Sequence, residues 1–321
     1  MAKLITGGTG FIGAELAHLL VARGEETVLF DIAINLKRID DIKDKVKIIQ
    51  GDLSNCSEVF NVVKNNRISS IYHLGAMLGV MSEINPWGSF KTNIIGTYNV
   101  LEAARLFDVE KVMFTSSLAT FRLETGAEIT DTTIQRPTNM YGVGKLYAEG
   151  LGRYYRKKFG LDFRAIRYPG ILGPGVRAPG LWPGPMVENA VLGKPFECFV
   201  TEESSGPLIF FKDAARAADM VLRAPKENIT MVNYNVAGDV PPVTAKGLER
   251  AIKRHIPEAA ITYKPDPAMM EIFGPFSKIK VWDDSYARKE WDWKPAYPTI
   301  DSMVLAFIEE MKTHPDRYGF V

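Results

Sequence analysis

A short apolar run, Lys3 to Thr6, leads directly into Gly7-Gly8-Thr9-Gly10-Phe11-Ile12-Gly13 and then into the amphipathic stretch Ala14 to Arg23. A strand, a tight glycine turn and a helix start in that order leave few folds open. Glycine serves there because the backbone takes unusual dihedrals and comes close to a pyrophosphate, whose charge the helix N-terminal amides meet. Two spacings fit, Gly8, Gly10, Gly13 and Gly7, Gly10, Gly13, and the sequence alone leaves the register open. Asp31 closes the next strand candidate, 24 positions after Gly7. A carboxylate there accepts hydrogen bonds from both adenosine ribose hydroxyls and repels a 2′-phosphate, which predicts NAD rather than NADP.

The first half of the chain keeps the alternation that a helix-covered parallel sheet requires. Strand candidates are Lys3 to Thr6, Thr27 to Asp31, Val46 to Gln50, Ser70 to Leu74 and Lys111 to Ser116; helix candidates are Gly10 to Arg23, Ser57 to Asn65 and Pro86 to Phe107. A further helix from about Asn139 to Phe159 precedes the strand Asp162 to Tyr168. The pattern predicts an α/β fold with a Rossmann-type, doubly wound parallel sheet. The 17 residues from Pro169 to Pro185 then hold five Pro and five Gly, which neither a helix nor a central strand tolerates. Beyond them, mixed segments ending in a helix from about Ile300 to Lys312 read as a smaller C-terminal α/β lobe. The expected division is residues 1–168 for NAD binding and catalysis and 169–321 for substrate, with the chain free to cross back to the sheet.

Composition narrows the function. With 39 basic against 38 acidic residues the net charge is +1, so the concentrated positive field expected of nucleic-acid or anionic-membrane binding is missing. No apolar run reaches the roughly 18 residues of a membrane span, and the early glycines interrupt any signal-peptide core. Two cysteines, Cys56 and Cys198, form no disulfide framework, which points to a reducing, cytoplasmic setting. His18, His73, His255 and His314 show no metal-ligand spacing, and no metal is expected.

Tyr141 and Lys145 stand four apart on the predicted helix, so both project from one face. Twelve Tyr and 22 Lys in 321 residues give about one such match by chance, and a second exists at Tyr154 and Lys158. Ser117 separates the two. It lies 24 positions before Tyr141, where a parallel strand ends and open α/β sheets bind ligands. A phenol with a pKa near 10 is a poor base at neutral pH; lowering it by about 3 units takes roughly 4 kcal/mol. Lys145 and an oxidised nicotinamide, both cationic, would stabilise the phenolate while Ser117 holds the reacting oxygen.

These residues resemble the extended short-chain dehydrogenase/reductase family, within the NAD-dependent epimerase/dehydratase superfamily, and more closely its L-threonine 3-dehydrogenase-like branch. The resemblance runs from Thr6 to Gly13 through Asp31, Gly51 to Leu53, His73 to Ala76, Asn93, Gln135 to Lys145 and Arg167 to Ile171, to Ala287 to Pro295. It implies that Gly7, Gly10, Phe11, Ile12 and Gly13 form the phosphate turn, that Asp31 binds ribose, and that Asp52 and Leu53 flank adenine. It further implies that Leu74, Gly75, Ala76, Asn93 and Ser116 line the cofactor, that Tyr168, Gly170 and Ile171 lie near the nicotinamide, and that Ser117, Tyr141 and Lys145 are catalytic. Helices 86–107 and 139–159 pair across a two-fold axis in such enzymes, and apolar Leu146, Leu151 and Tyr155 on the outward faces predict a homodimer.

The departures fall where substrate should sit. The branch's threonine-binding serine aligns with Gly79, and its paired threonines align near Pro179 and Gly180, in a segment, Ala178 to Pro185, that carries Trp182. A site for an amino acid must satisfy an ammonium and a carboxylate. The expectation is therefore an NAD-dependent oxidoreductase interconverting a secondary alcohol and a ketone in an altered, less polar pocket formed by Gly79, Met81, Ser117, Tyr141, Trp182 and Met186. Two rivals stand beside it: a nucleotide-sugar epimerase or dehydratase that retains its NAD, and a non-catalytic dinucleotide-sensing protein.

Overall fold

The computed structural model describes residues 1–122, 126–176, 181–238 and 241–319. Its centre is a seven-stranded parallel sheet built from β1 (Ala2–Thr6), β2 (Thr27–Asp31), β3 (Val46–Gln50), β4 (Ile68–His73), β5 (Lys111–Ser117), β6 (Asp162–Tyr168) and β7 (Asn233–Asn235). The spatial order is β7-β6-β5-β4-β1-β2-β3, with Thr6 paired to both Phe30 and His73. The order reverses beside β1, and the crevice beyond the ends of β1 and β4 is where such sheets take ligands.

Alternation along the strands explains the layers. Ile5, Leu29 and Tyr72 point to one face, where they pack with Leu16 and Leu20 of α1 (Phe11–Ala22). Leu4, Val28, Phe30 and Ile71 point to the other, under α2 (Cys56–Asn65), α3 (Gly96–Leu106) and α4 (Met140–Phe159). The smaller lobe has its own core, in which Trp182 and Met186 at α5 (Pro183–Val191) meet Phe210, Leu248, Val304 and Phe307. Two segments from beyond residue 168 belong to the sheet layers: α6 (Phe211–Arg223), whose Ala214 and Ala218 share the core of α1, and β7 itself. Helices α7 (Ala245–His255) and α8 (Ile300–Thr313) complete the lobe.

Two expectations need correction. The stretch 86–107 is not one regular helix: Pro86–Ser89 is followed by a π-type turn over Phe90–Ile95, and only then by α3. Tyr155 does not face outward, because its ring is buried in the core and its hydroxyl donates to Glu102 at 2.8 Å. Among the described residues no helix is long and apolar enough to cross a membrane, and no group of three His, Cys, Asp or Glu could hold a metal ion.

Candidate active site

The glycine turn is built around one carbonyl. A Cβ on Gly13 would stand 2.2 Å from the Gly7 oxygen and one on Gly10 3.0 Å from it, while Gly10 N–H donates to that same oxygen. Gly7 has φ +66°, and a side chain there would meet the Gly75 backbone at 2.9 Å. Glycine therefore lets the ends of β1 and β4 touch, leaving bare backbone along the crevice floor. Gly75 N–H donates to Thr6 Oγ1 and Leu74 N–H to the Thr6 carbonyl, and Ala76 continues the half-buried strand exit.

At the other end of this floor, Asp31 accepts from Thr9 N–H at 3.0 Å, from Thr9 Oγ1 at 2.9 Å and from Ala33 N–H at 3.3 Å. Nothing in the sequence pattern singled out Thr9, whose role shows only once β2 lies beside the turn. Leu53 packs beneath Gly75 and Gly96, and Asp52 turns the chain by accepting from Ser54 N–H at 2.8 Å. Phe11 opens α1 with its ring stacked on Phe211 at 5.1 Å, and Ile12 packs on the sheet core. A cradle that any Cβ would fill, with the Asp31 carboxylate at one end, fits NAD.

Asn93 is buried within the π-type turn and grips the loop after β4 twice. Its side-chain oxygen accepts from Met77 N–H at 2.8 Å and its amide donates to the Met77 carbonyl at 2.9 Å.

The catalytic candidates meet where β5 ends. Asn139 caps α4 by accepting from Gly142 N–H at 2.7 Å. A Cβ on Gly142 would lie 2.2 Å from the Ala119 carbonyl, so the first turn of α4 presses on the residues just after Ser117. That contact brings half-buried Tyr141 to Ser117, whose hydroxyl is hydrogen-bonded to Ala119 N–H at 3.1 Å. Burial pushes the Tyr141 phenol up to about 12, against a hydrogen bond from the Ser117 side chain that pulls it down. Lys145 is buried, donates to the Thr115 carbonyl at 2.6 Å, and has its nitrogen 4.7 Å from the Phe114 ring centre and 5.5 Å from that of Tyr141. Burial pulls its ammonium down to about 7, opposed by the Glu149 carboxylate. Ser116 points away from Ser117 and donates to Glu149 at 2.5 Å.

The residues expected around the substrate are spread more widely. Gly79 begins a short helix, Gly79–Ile84, and a Cβ there would have no neighbour within 4 Å. Met81 on the same turn is 45% exposed, and Glu83 ties this helix to the catalytic one by accepting from Met140 N–H at 2.7 Å. Trp182 is buried and Met186 has no exposed surface, and both lie in the core of the smaller lobe. The threonine-equivalent positions Pro179 and Gly180, with Ala178, lie outside the described residues. Tyr168 turns its hydroxyl into the core, donating to the Ala214 carbonyl at 2.6 Å, while Gly170 and Ile171 pair with Leu208 and Ile209.

Comparison with known proteins agrees with this geometry. The model of the NAD dependent epimerase/dehydratase family matches residues 3–237. The mitochondrial L-threonine 3-dehydrogenase of Bos taurus is 33% identical over 312 residues, covering 95% of this chain and 82% of that one. The holo form of the L-threonine dehydrogenase from Cupriavidus necator superposes with a TM-score of 0.86 at 29% identity, over 97% of this chain and all of that one. The UDP-glucose 4-epimerase of Thermotoga maritima, at 20% identity and a TM-score of 0.84 over 98% and 99% of the two chains, shares the fold. With the family match running over most of its length, the chain belongs to the NAD dependent epimerase/dehydratase family, as an NAD-dependent enzyme of the extended short-chain dehydrogenase/reductase type.

Proposed function

We propose that the protein is a dehydrogenase that interconverts a secondary alcohol and a ketone. The observation that carries this reading is the packing of Gly142 on the Ala119 carbonyl, which brings Tyr141 to Ser117 with Lys145 behind them, at the same sheet edge as the glycine cradle. NAD, when bound, supplies the hydride acceptor and a positive charge close to the phenol. Ser117 holds the substrate hydroxyl. Tyr141, as the phenolate that the Lys145 ammonium stabilises across the 5.5 Å to the ring, takes its proton and becomes the neutral phenol. A phenol raised to about 12 by burial stays protonated at neutral pH, so both positive charges are needed to populate the phenolate. The reverse direction returns the proton from Tyr141 to the ketone oxygen.

The substrate reading rests on Gly79 and Met81. Gly79 offers no polar group where the threonine-dehydrogenase branch has a serine, and Met81 supplies exposed apolar surface beside it. The pocket is therefore suited to a less polar or bulkier 3-hydroxy compound than L-threonine. Residues 1–168 carry the cofactor and reacting groups, and the later part carries the substrate lobe. The test is NADH formation, followed by absorbance, across secondary alcohols that include L-threonine and aromatic 3-hydroxy compounds. The expected result is turnover, with L-threonine a poor substrate. Highest kcat/KM for L-threonine would overturn the altered pocket, and no turnover of any alcohol would overturn the dehydrogenase reading.

The outward face of α4 supports assembly with a second copy and a homodimer. Val143 and Tyr147 are 42% and 43% exposed, and with Leu146 and Leu151 they line an apolar groove of about 500 Å³. Ile95 and Tyr98 add apolar surface on the adjoining helix. A monomer mass in light scattering at micromolar concentration would refute the dimer. Two free cysteines, Cys198 buried and Cys56 exposed, suit a reducing cytoplasm.

A further inference from the structure

One helical turn beyond Lys145, on the same face of α4, stands Glu149, a carboxylate with 2% of its surface exposed. Five hydrogen bonds reach it: Ser116 Oγ at 2.5 Å, Arg167 Nε at 2.9 Å and Nη2 at 2.7 Å, Gln135 Nε2 at 3.2 Å and Asn233 Nδ2 at 2.8 Å. These donors outweigh burial and hold the carboxyl below its usual range, so the group is an anion. Ser116 is on β5, Arg167 is its cross-strand partner on β6, and Asn233 is on β7. One side chain thus joins three adjacent strands to the catalytic helix, directly behind Ser117 and Tyr141.

The charged and titratable groups facing Lys145 are few. Tyr141 and Glu149 share its helix; β4 presents His73, which burial and Lys145 keep neutral by pulling it down to about 3; β5 presents only the Thr115 carbonyl, the Phe114 ring and the serine hydroxyls; β6 presents Arg167, already paired with Glu149. Glu149 is the one carboxylate among these groups.

On the dehydrogenase reading above, we propose that Glu149 is a positioning residue of the active site, fixing the end of β5 against α4 so that Ser117 and Tyr141 stay in register, and supplying the negative charge that Lys145 faces. The rival is a buried ion pair that only fastens helix to sheet. The two differ in what happens to Lys145. Without a nearby anion a buried lysine loses its proton at lower pH, and a neutral Lys145 no longer stabilises a phenolate.

The experiment uses the full chain with lysine carbon-13 labelled at Cε, titrated by NMR without cofactor or substrate, the Lys145 signal being assigned by its loss in Lys145→Met. In Glu149→Gln the Lys145 midpoint should fall by about one pH unit or more, and Glu149→Asp should restore most of the shift. In steady state, Glu149→Gln should lower kcat about tenfold or more with KM little changed, and the alkaline limb of its pH profile should move to lower pH. A folded Glu149→Gln protein with an unchanged Lys145 midpoint and pH profile would overturn the proposal. Should that variant not fold, Glu149→Gln with Arg167→Met removes both opposed charges and carries the same readout, with a fall in the Lys145 midpoint smaller than in the single variant because the lost cation offsets part of the lost anion, and an unchanged kcat and pH profile there would overturn the proposal. If the wild type oxidises no alcohol, the dehydrogenase reading fails, while the lysine titration still decides whether Glu149 sets the charge of Lys145.

Discussion

Helix α4 carries the same Tyr and Lys spacing twice, and its two ends have little else in common. Lys145 is 3% exposed, with Tyr141 half-buried against the end of β5. Tyr154 is 53% exposed, leans its ring edge on Tyr155 and Phe159, and is followed by an exposed Lys158. Spacing along a helix puts two groups on one face and says nothing of what that face meets. At the first pair it meets a strand end carrying Ser117, where desolvation makes charges costly and therefore consequential; at the second it meets water, which screens them.

The largest effect should come from the phenols. Tyr141→Phe should lower kcat by about 10²–10⁴ with the fold intact, whereas Tyr154→Phe should leave it unchanged. Equal losses would break the contrast. Next, Asp31→Ala removes a carboxylate from the ribose end of the cradle, and the ratio of NADP to NAD dissociation constants should narrow by roughly 10- to 100-fold. A wild type that binds NADP as tightly as NAD would refute the assignment.

Glycines along α4 sharpen the same comparison by stability. Gly142→Ala places a methyl 2.2 Å from the Ala119 carbonyl and should cost about 1–3 kcal/mol in thermal or urea unfolding, with a fall in kcat. Gly150 is exposed with open space around it, so Gly150→Ala should stabilise the helix by up to about 1 kcal/mol. The smallest effect belongs to the substrate side. Gly79→Ser meets no obstruction, and one restored hydrogen bond should raise the relative kcat/KM for L-threonine about 2- to 10-fold. No change would show that Gly79 does not line the pocket.

Thr27–Asp31 and Asp162–Tyr168 begin and end where the pattern places them because almost all of their residues are buried, and the edge strand Val46–Gln50 does so although it is only half-buried, its apolar residues bounded by polar ones. The glycine turn was legible because the close approach of Gly7, Gly10 and Gly13 permits no side chain there. What the pattern could not show was partnership across the fold. Glu149 reads along the chain as one acidic helix residue among several, and only the arrival of Ser116, Arg167 and Asn233 from three strands makes it the anion behind the site. Tyr155 was misplaced for the same reason, since its outward spacing ignored Glu102 on the neighbouring helix. The π-type turn has no sequence signature of its own, because any six helix-compatible residues can adopt it when a side chain must reach a fixed partner.

That turn has a consequence for how the chain tolerates length change. A π-type turn is an α-helix holding one residue more than its ladder needs. Deleting a single residue within Phe90–Ile95 would let the segment relax into a regular helix that rotates Asn93 by about 100° away from Met77. The helix would gain hydrogen-bond regularity while the loop after β4 lost both of its hydrogen bonds to Asn93. The surplus residue therefore couples the regularity of this helix to the placement of the loop beside the glycine cradle, so that neither can be changed by one residue without the other.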